Sequence, residues 1–317
     1  MELVLATDTQ KAERDRVTHA AWGSPLTVEQ FQQREARLRA HPWCREGMRT
    51  WLLMDGGQVL ASCETLRMDS YLRGPDGAHV KGTSEGIASV FTEEALRGHG
   101  HATRLMDLLA ERVAGETPPH HALLLFSDVG APLYRRSGYQ EAPAWDWHLP
   151  AAGGLSTHAV DALLCDGDVP LLLGQMRRPD VPFYLWPSAA QVDWHLERER
   201  AYAQLLHRPR PEACGATVGR STALWAMMAR YDQLVVLMMD AESLDDAVAL
   251  LEAARGVAHR AGLSNVVLWE EPGTLPWVAR VADATRVARD GALPMLRPLR
   301  PGLPPAARVD FPRALWV

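Results

Sequence analysis

Apolar positions in the first half of the chain change period several times, and each change marks an element. Short apolar runs place strands at Leu3–Ala6, Arg49–Met54 and Gln58–Met68, the last two joined by Asp55-Gly56-Gly57 as a hairpin. Helical stretches are predicted at 10–21 and about 27–40, the second with Val28, Phe31, Ala36 and Leu38 partly periodic. The turn chemistry of Gly74-Pro75-Asp76-Gly77 predicts a loop over Tyr71–Gly82. Gly86–Thr92 reads as a strand, and a helix follows from Ala102 to Ala114. Its residues Ala102, Leu105, Met106, Leu109 and Val113 share one face, and Gly115 is its stop. A strand at Ala122–Phe126, a short helix at 131–136 and a last strand from Tyr139 to His148 complete this half. Strand, helix and strand in succession imply a right-handed crossover between parallel strands.

Leu149–Thr157 is rich in Pro, Ala and Gly and marks a boundary, giving domains 1–150 and 151–317. Beyond it, 188–207 looks helical, Leu224–Asp240 forms one bent or two short strands, and 243–262 is a helix. That helix opens with a capping-box-like Ser243-x-x-Asp246 and closes at Gly262. Asn265–Trp269 is another strand. The repeated order is either a degenerate second copy of the first unit or an independent strand–helix–strand. The proline-rich tail ends in Phe311-Pro312-Arg313-Ala314-Leu315-Trp316-Val317, too apolar to stay in water.

A length of 317 residues agrees with two domains, and 47% apolar with 23% charged residues is a globular composition. The net charge of −6 gives no basic face for nucleic acid. All the cationic residues but Lys11 and Lys81 are arginines. Cys44, Cys63, Cys165 and Cys214 lie far apart with no CxxC pair, no signal peptide is recognisable, and the conspicuous apolar run Leu234–Met239 is far too short to span a bilayer. A reduced, cytoplasmic protein without membrane or nucleic-acid partners is expected.

The informative local feature is Arg97-Gly98-His99-Gly100-His101-Ala102 between a strand and a helix. Glycines there let an anion approach the backbone, and the helix start adds unpaired N–H groups and a partial positive charge. A purely structural turn is the competing reading. The string is not a P-loop, because His101-Ala102 follows Gly100 where Lys-Ser/Thr is required, and Thr103 stands where a dinucleotide fingerprint needs glycine.

That string resembles the Arg/Gln-x-x-Gly-x-Gly/Ala loop of the GCN5-related N-acetyltransferases (GNATs). Leu133-Tyr134-Arg135-Arg136-Ser137-Gly138-Tyr139 resembles the same family's second signature, so the likeness covers about residues 1–148. Gly86–Thr92 and Leu125-Phe126-Ser127-Asp128-Val129-Gly130, with the closing Arg313–Val317, are similar to fungal free-lysine N6-acetyltransferases. Glu93-Glu94 departs from the family's usual proline pair or Asp-Pro. The fold implied is α/β: a mixed, largely antiparallel sheet with a central parallel pair and helices on both faces, then a C-terminal α/β domain contributing to the acceptor site.

The resemblance implies acetyl-CoA as donor. Arg97, Gly98, His99, Gly100, His101 and Ala102 would hold its pyrophosphate, while Val90, Phe91 and Thr92 pair with its pantetheine in a slot between splayed strands. Ser127 stands where the family often has an Asn touching the cofactor. Tyr134 is the acid expected to protonate the leaving thiolate. An alkylamine acceptor must lose a proton, and Glu64 or Glu85 is the positional base, with a solvated strand residue as the plainer reading of each. Asp128 is a candidate for the substrate ammonium or for a turn cap. His99 and His101 have no accompanying ligand cluster, so no metal is expected, and His120-His121 reads as a loop pair before a strand. An amino-acid acceptor would need an arginine or backbone donors for its carboxylate, and Trp186, Trp194 or Trp225 are candidates to wall its cleft, with core packing as the plainer reading of each. Acetylation of a small lysine-like amine is the leading expectation. The alternatives are another amine, such as an aminoglycoside, and a non-catalytic acyl-CoA-binding module.

Overall fold

The computed structural model describes residues 1–153, 160–272 and 274–317. Strand β1 (Glu2–Leu5) leads into α1 (Asp8–Trp22) and α2 (Val28–Arg39), whose starts are fixed by capping boxes at Thr7/Gln10 and Thr27/Gln30. After α3 (Pro42–Gly47) come β2 (Met48–Asp55), β3 (Gln58–Arg73) and β4 (His79–Phe91). The loop expected over Tyr71–Gly82 is therefore shorter: β3 and β4 stay paired through Tyr71↔Lys81 to Arg73↔His79. Only the residues around the Gly74–Gly77 turn leave the ladder. A distant strand, β9 (Phe183–Leu185), pairs with Ser70–Leu72 and stacks Tyr184 on Tyr71 at 4.8 Å, support that local turn chemistry does not announce.

Helix α4 (His101–Ala114) joins β4 to β5 (Ala122–Ser127), and these two strands are parallel, as the crossover predicts. After α5 (Pro132–Arg135), the strand expected from Tyr139 to His148 is broken in two. A two-residue β6 (Gln140–Glu141) stays in the first sheet, while β7 (Trp145–Pro150) joins the second. Pro143 lies in the gap, without the N–H a continuous ladder needs.

The second half runs through β8 (Ala162–Leu164), α6 (Val169–Gln175), β9, α7 (Ala189–Leu205), β10 (Gly215–Val218), β11 (Ser221–Met228) and β12 (Gln233–Asp240). It continues with α8 (Leu244–Arg260), β13 (Asn265–Trp269), α9 (Leu275–Val278), β14 (Thr285–Ala288) and β15 (Leu293–Pro298). The stretch Leu224–Asp240 resolves as the antiparallel pair β11–β12. Ser243 caps α8 at the amide of Asp246, but the Asp246 carboxylate accepts from Ser221 Oγ at 2.8 Å and does not close a box. Strands β12 and β13 are parallel across α8, repeating the β4–α4–β5 arrangement.

The first sheet has the order β1-β2-β3-β4-β5-β15-β6, with β9 on the extension of β3, and the second β14-β7-β13-β12-β11-β10-β8. The boundary stretch Leu149–Thr157 begins at the end of β7 and runs into residues 154–159, outside those described. The chain crosses back afterwards: β15 inserts beside β5, pairing Leu293 with Ser127. An apolar core containing Leu66, Met68 and Ala88 from the first sheet with Trp194, Phe311 and Leu315 seals the two halves together, so the apolar tail is buried. Among the described residues no helix is long and apolar enough to cross a membrane.

Candidate active site

Strand β4 ends at Phe91, and a single 3-10 turn, Glu94–Leu96, redirects the chain to Arg97. Gly98 and Gly100 then take left-handed φ values of +82° and +79°, and Gly100 is the N-cap of α4. Only glycine adopts such values at little cost, and a Cβ at either position would project into open space rather than into protein. The backbone thus presents the amides at the start of α4 to a cleft of about 870 Å³, which Arg97, Gly98, Gly100, His101 and Ala102 line. His99 is not among the lining residues. The Arg97 side chain folds back, donating from Nε to the Thr92 carbonyl at 3.0 Å.

The neighbouring slot follows from strand pairing. Strands β4 and β5 pair only over Glu85–Ile87 and Leu123–Leu125, and beyond that point they separate. A bulge gives β4 one residue more than β3 between Ser62↔Phe91 and Glu64↔Ala88, with Ser89 at φ +53°. Val90, Phe91 and Thr92 therefore border the cleft on a strand released from β5. Such an edge, unpaired with β5, is suited to pairing with an extended, peptide-like ligand.

The two candidate bases lie on opposite faces of the sheet. Glu64 shares a face with Leu66 and Met68, lines the cleft, and is 4% exposed. Arg14 Nη1 lies 3.2 Å from its Oε1 and Arg39 Nη1 3.9 Å, Arg39 being also paired with Asp15. Glu85 instead shares the face of Ile87, which packs with Leu105 and Leu109 of α4, and it is not among the lining residues. Glu85 thus sits on the sheet face opposite Glu64 and does not itself border the cleft, although Ile87 two residues along does. Burial raises its carboxyl to about 7 despite Arg49, whose Nη2 is 3.0 Å away. Glu85, Glu116 and His120 form the one convergence of ligand-type side chains among the described residues, and the Arg49 guanidinium pairs with both carboxylates. His99 and His101 take no part in it, their rings lying 5.9 Å apart.

Tyr134 lines the cleft from α5, and burial pushes its hydroxyl up to about 12. Ser127 is committed elsewhere: its hydroxyl donates to the Gly130 carbonyl at 2.7 Å and accepts from the Val129 amide, closing the turn after β5. Asp128 borders the cleft, but its Oδ1 accepts the Ala292 amide at 2.8 Å and so ties down the loop before β15. His120 and His121 do precede β5, both buried, on Thr83 and Ser70 hydroxyls respectively.

Sequence reasoning missed most of the opposite wall. Arg14, Phe31, Arg34 and Arg39 come from α1 and α2, and Trp194, Arg198, Glu199 and Tyr202 from α7. Met228, Arg230, Tyr231, Trp316 and Val317 also line the cleft. Of the three candidate tryptophans, Trp194 borders the cleft, whereas Trp186 and Trp225 are packed in separate cores. Burial raises the Glu199 carboxyl to about 7 against the pull of Arg198. The spacing of Trp194, Arg198 and Tyr202, four residues apart on one helix, was the available signal.

A bulged strand splayed from its parallel neighbour, with a glycine nest at the following helix, defines a GNAT fold. Many solved structures share it, and three serve as examples. They are a probable N-acyltransferase from Enterococcus faecalis (TM-score 0.62, 12% identity, 94% of this chain and 72% of that one), a GCN5-related N-acetyltransferase from Kribbella flavida (0.58, 19%, 94% and 72%) and Eis1 from Mycobacterium abscessus (0.56, 15%, 94% and 74%). A lysine acetyltransferase from Yarrowia lipolytica is 24% identical over 80% of this chain and 80% of its own. The family model described as the LYC1 GNAT-like C-terminal domain matches residues 139–311, more than half of the chain. The chain belongs to this LYC1-like GNAT family and is an N-acetyltransferase. The family uses acetyl-CoA as donor.

Proposed function

We propose that the protein transfers the acetyl group of acetyl-CoA to the side-chain amine of lysine or a closely similar small amine. One observation carries this reading: the glycine nest, the splayed edge of β4 and the buried carboxylate of Glu64 border the same cleft. The diphosphate would lie on the amides of residues 97–102 and the pantetheine along Val90–Thr92, which brings the thioester toward Ala88 and its cross-strand partner Glu64. Glu64, directly or through water, takes the proton from the ammonium as the amine nitrogen attacks the thioester carbonyl. Tyr134 donates its proton to the thiolate that departs. Ser127 and Asp128 act one step removed, by shaping the turn and loop beside the donor. The name of the Yarrowia relative supports lysine over other amines.

The test is a panel of amines with acetyl-CoA, read by release of the CoA thiol. Turnover of lysine is the expected result. Turnover of an aminoglycoside with failure of every amino acid and diamine would overturn the acceptor assignment.

A further inference from the structure

Two arginines at the back of the cleft lack a full counter-charge. Arg198, 7% exposed, lines the cleft, and Arg313, 6% exposed, lies behind it. Their guanidinium carbons flank the Trp316 ring at 4.9 and 4.2 Å. Both Nη2 groups then reach the same atom, Met228 Sδ, at 3.9 and 3.3 Å. Trp194 and Trp269 each take a further guanidinium contact, at 5.3 Å from Arg198 and 4.9 Å from Arg313. Arg313 Nη1 is buried with no hydrogen-bond partner, and no ion pair to Arg313 exists among the described residues.

The anion in contact is Glu199, which accepts from Arg198 Nε at 3.4 Å. Burial raises the Glu199 carboxyl against the pull of Arg198, which works against its serving as a full counter-charge. Burial, then the nearby Arg198 and Arg289, lowers Arg313 to about 9, with Asp146 pulling the other way without an ion-pair contact. Burying a guanidinium is costly unless it is paired, and a thioether is a weak acceptor on a flexible stem. Met228 borders the cleft, so its sulfur can swing aside and leave two converging guanidiniums.

We propose that Arg198 and Arg313 form the subsite for the carboxylate of the acceptor, so that the enzyme selects a free amino acid over a diamine or a lysine within a polypeptide. Guanidinium is suited to this, since it binds carboxylate through paired N–H donors. Placement agrees. Trp194 packs in one core with Leu66 and Ala88, which flank Glu64 in the sheet, and Arg198 lies one helical turn further along α7. Glu64 and Arg198 line the same cleft. The inference rests on the lysine-like reading of the cleft.

The test compares lysine with cadaverine, which has the same distal amine and no carboxylate, in steady-state acetylation by the intact protein. Lysine is expected to have the higher kcat/KM by about 10- to 100-fold, the value of hydrogen bonds to a charged group. Arg198→Gln and Arg313→Gln should shrink that ratio toward one, chiefly by raising KM for lysine. The wild-type comparison needs no variant, so a poorly folding Arg313→Gln protein does not block it. Equal kcat/KM for lysine and cadaverine overturns the subsite while leaving amine acetylation in place. Acetylation of neither, with turnover of an amino sugar, overturns the lysine reading and the subsite together.

Discussion

Arg14 Nη2 donates to the carbonyl of Ser89 at 2.8 Å, and this bond fastens α1 to the bulge that opens β4. The same guanidinium donates from Nε to Ser62 Oγ at 3.1 Å and pairs with Glu64. One buried side chain therefore holds both the strained backbone of the slot proposed for the donor and the carboxylate proposed as base. A non-glycine residue at φ +53° costs about 1–2 kcal/mol, which contacts such as these must offset.

Replacing Arg14 by Met should accordingly lower stability by about 3 kcal/mol, because Glu64 keeps only the 3.9 Å contact to Arg39. Urea unfolding measures the loss. In the folded fraction KM for acetyl-CoA should also rise; an unchanged midpoint and KM would mean that the bulge needs no such anchor.

Tyr134→Phe should reduce kcat by about 100-fold or more, the range of positioned acid catalysis, while calorimetry still records acetyl-CoA binding. A protein that merely binds acyl-CoA would be indifferent to the change, and an unaffected kcat would remove Tyr134 from the mechanism.

Gly100→Ala places a Cβ in open space at φ +79°. The expected stability loss is only about 1 kcal/mol. KM for acetyl-CoA should nevertheless rise at least tenfold, since the methyl group would stand where the diphosphate approaches the α4 amides. Comparable KM values in the two proteins would argue that the nest is structural.

Glu85 and Glu64 should separate cleanly. Glu64→Gln is expected to lower kcat/KM by about 100-fold, whereas Glu85→Gln, on the far face of the sheet, should leave turnover near wild type. The effect of Glu85 is on stability. Its carboxyl is raised from 4.5 to about 7, so between those values the folded state binds more protons than the unfolded state, and the contribution to stability falls as pH rises. The full loss, at most about 3 kcal/mol, is reached above pH 7. His120, lowered by burial, works in the opposite direction near neutrality, so the measurement is the difference between wild type and Glu85→Gln in urea midpoints at pH 5 and pH 8. The variant should gain on the wild type at the higher pH; parallel curves would contradict the assignment.

Much of the side proposed for the donor was legible because its causes are local. The face made by Leu105, Met106, Leu109 and Val113 specifies α4, and Gly98 and Gly100 specify the turn that precedes it. Glu64 and Glu85 looked equivalent, since a one-residue difference in alternation decides which face a strand residue occupies. Asp128 borders the cleft and Ser127 lies beside it in sequence, but their oxygens are spent on Ala292 and Gly130. Arg198 and Arg313 gave no signal among so many arginines. Their meaning comes from Met228 and Trp316, brought to them by β11 and the tail.

The amino-acid order by itself determined the periodic helices, the parallel β4–α4–β5 unit and the nest of amides. Those depend on side-chain spacing and turn geometry within a few residues. Only the tertiary structure decided that β15 returns to pair with β5, that Pro143 sends β7 into the second sheet, and that α7 supplies the far wall of the cleft. Strand partners and facing walls are chosen by burial across the whole molecule. No local pattern encodes which distant segment will cover a given apolar face or charge.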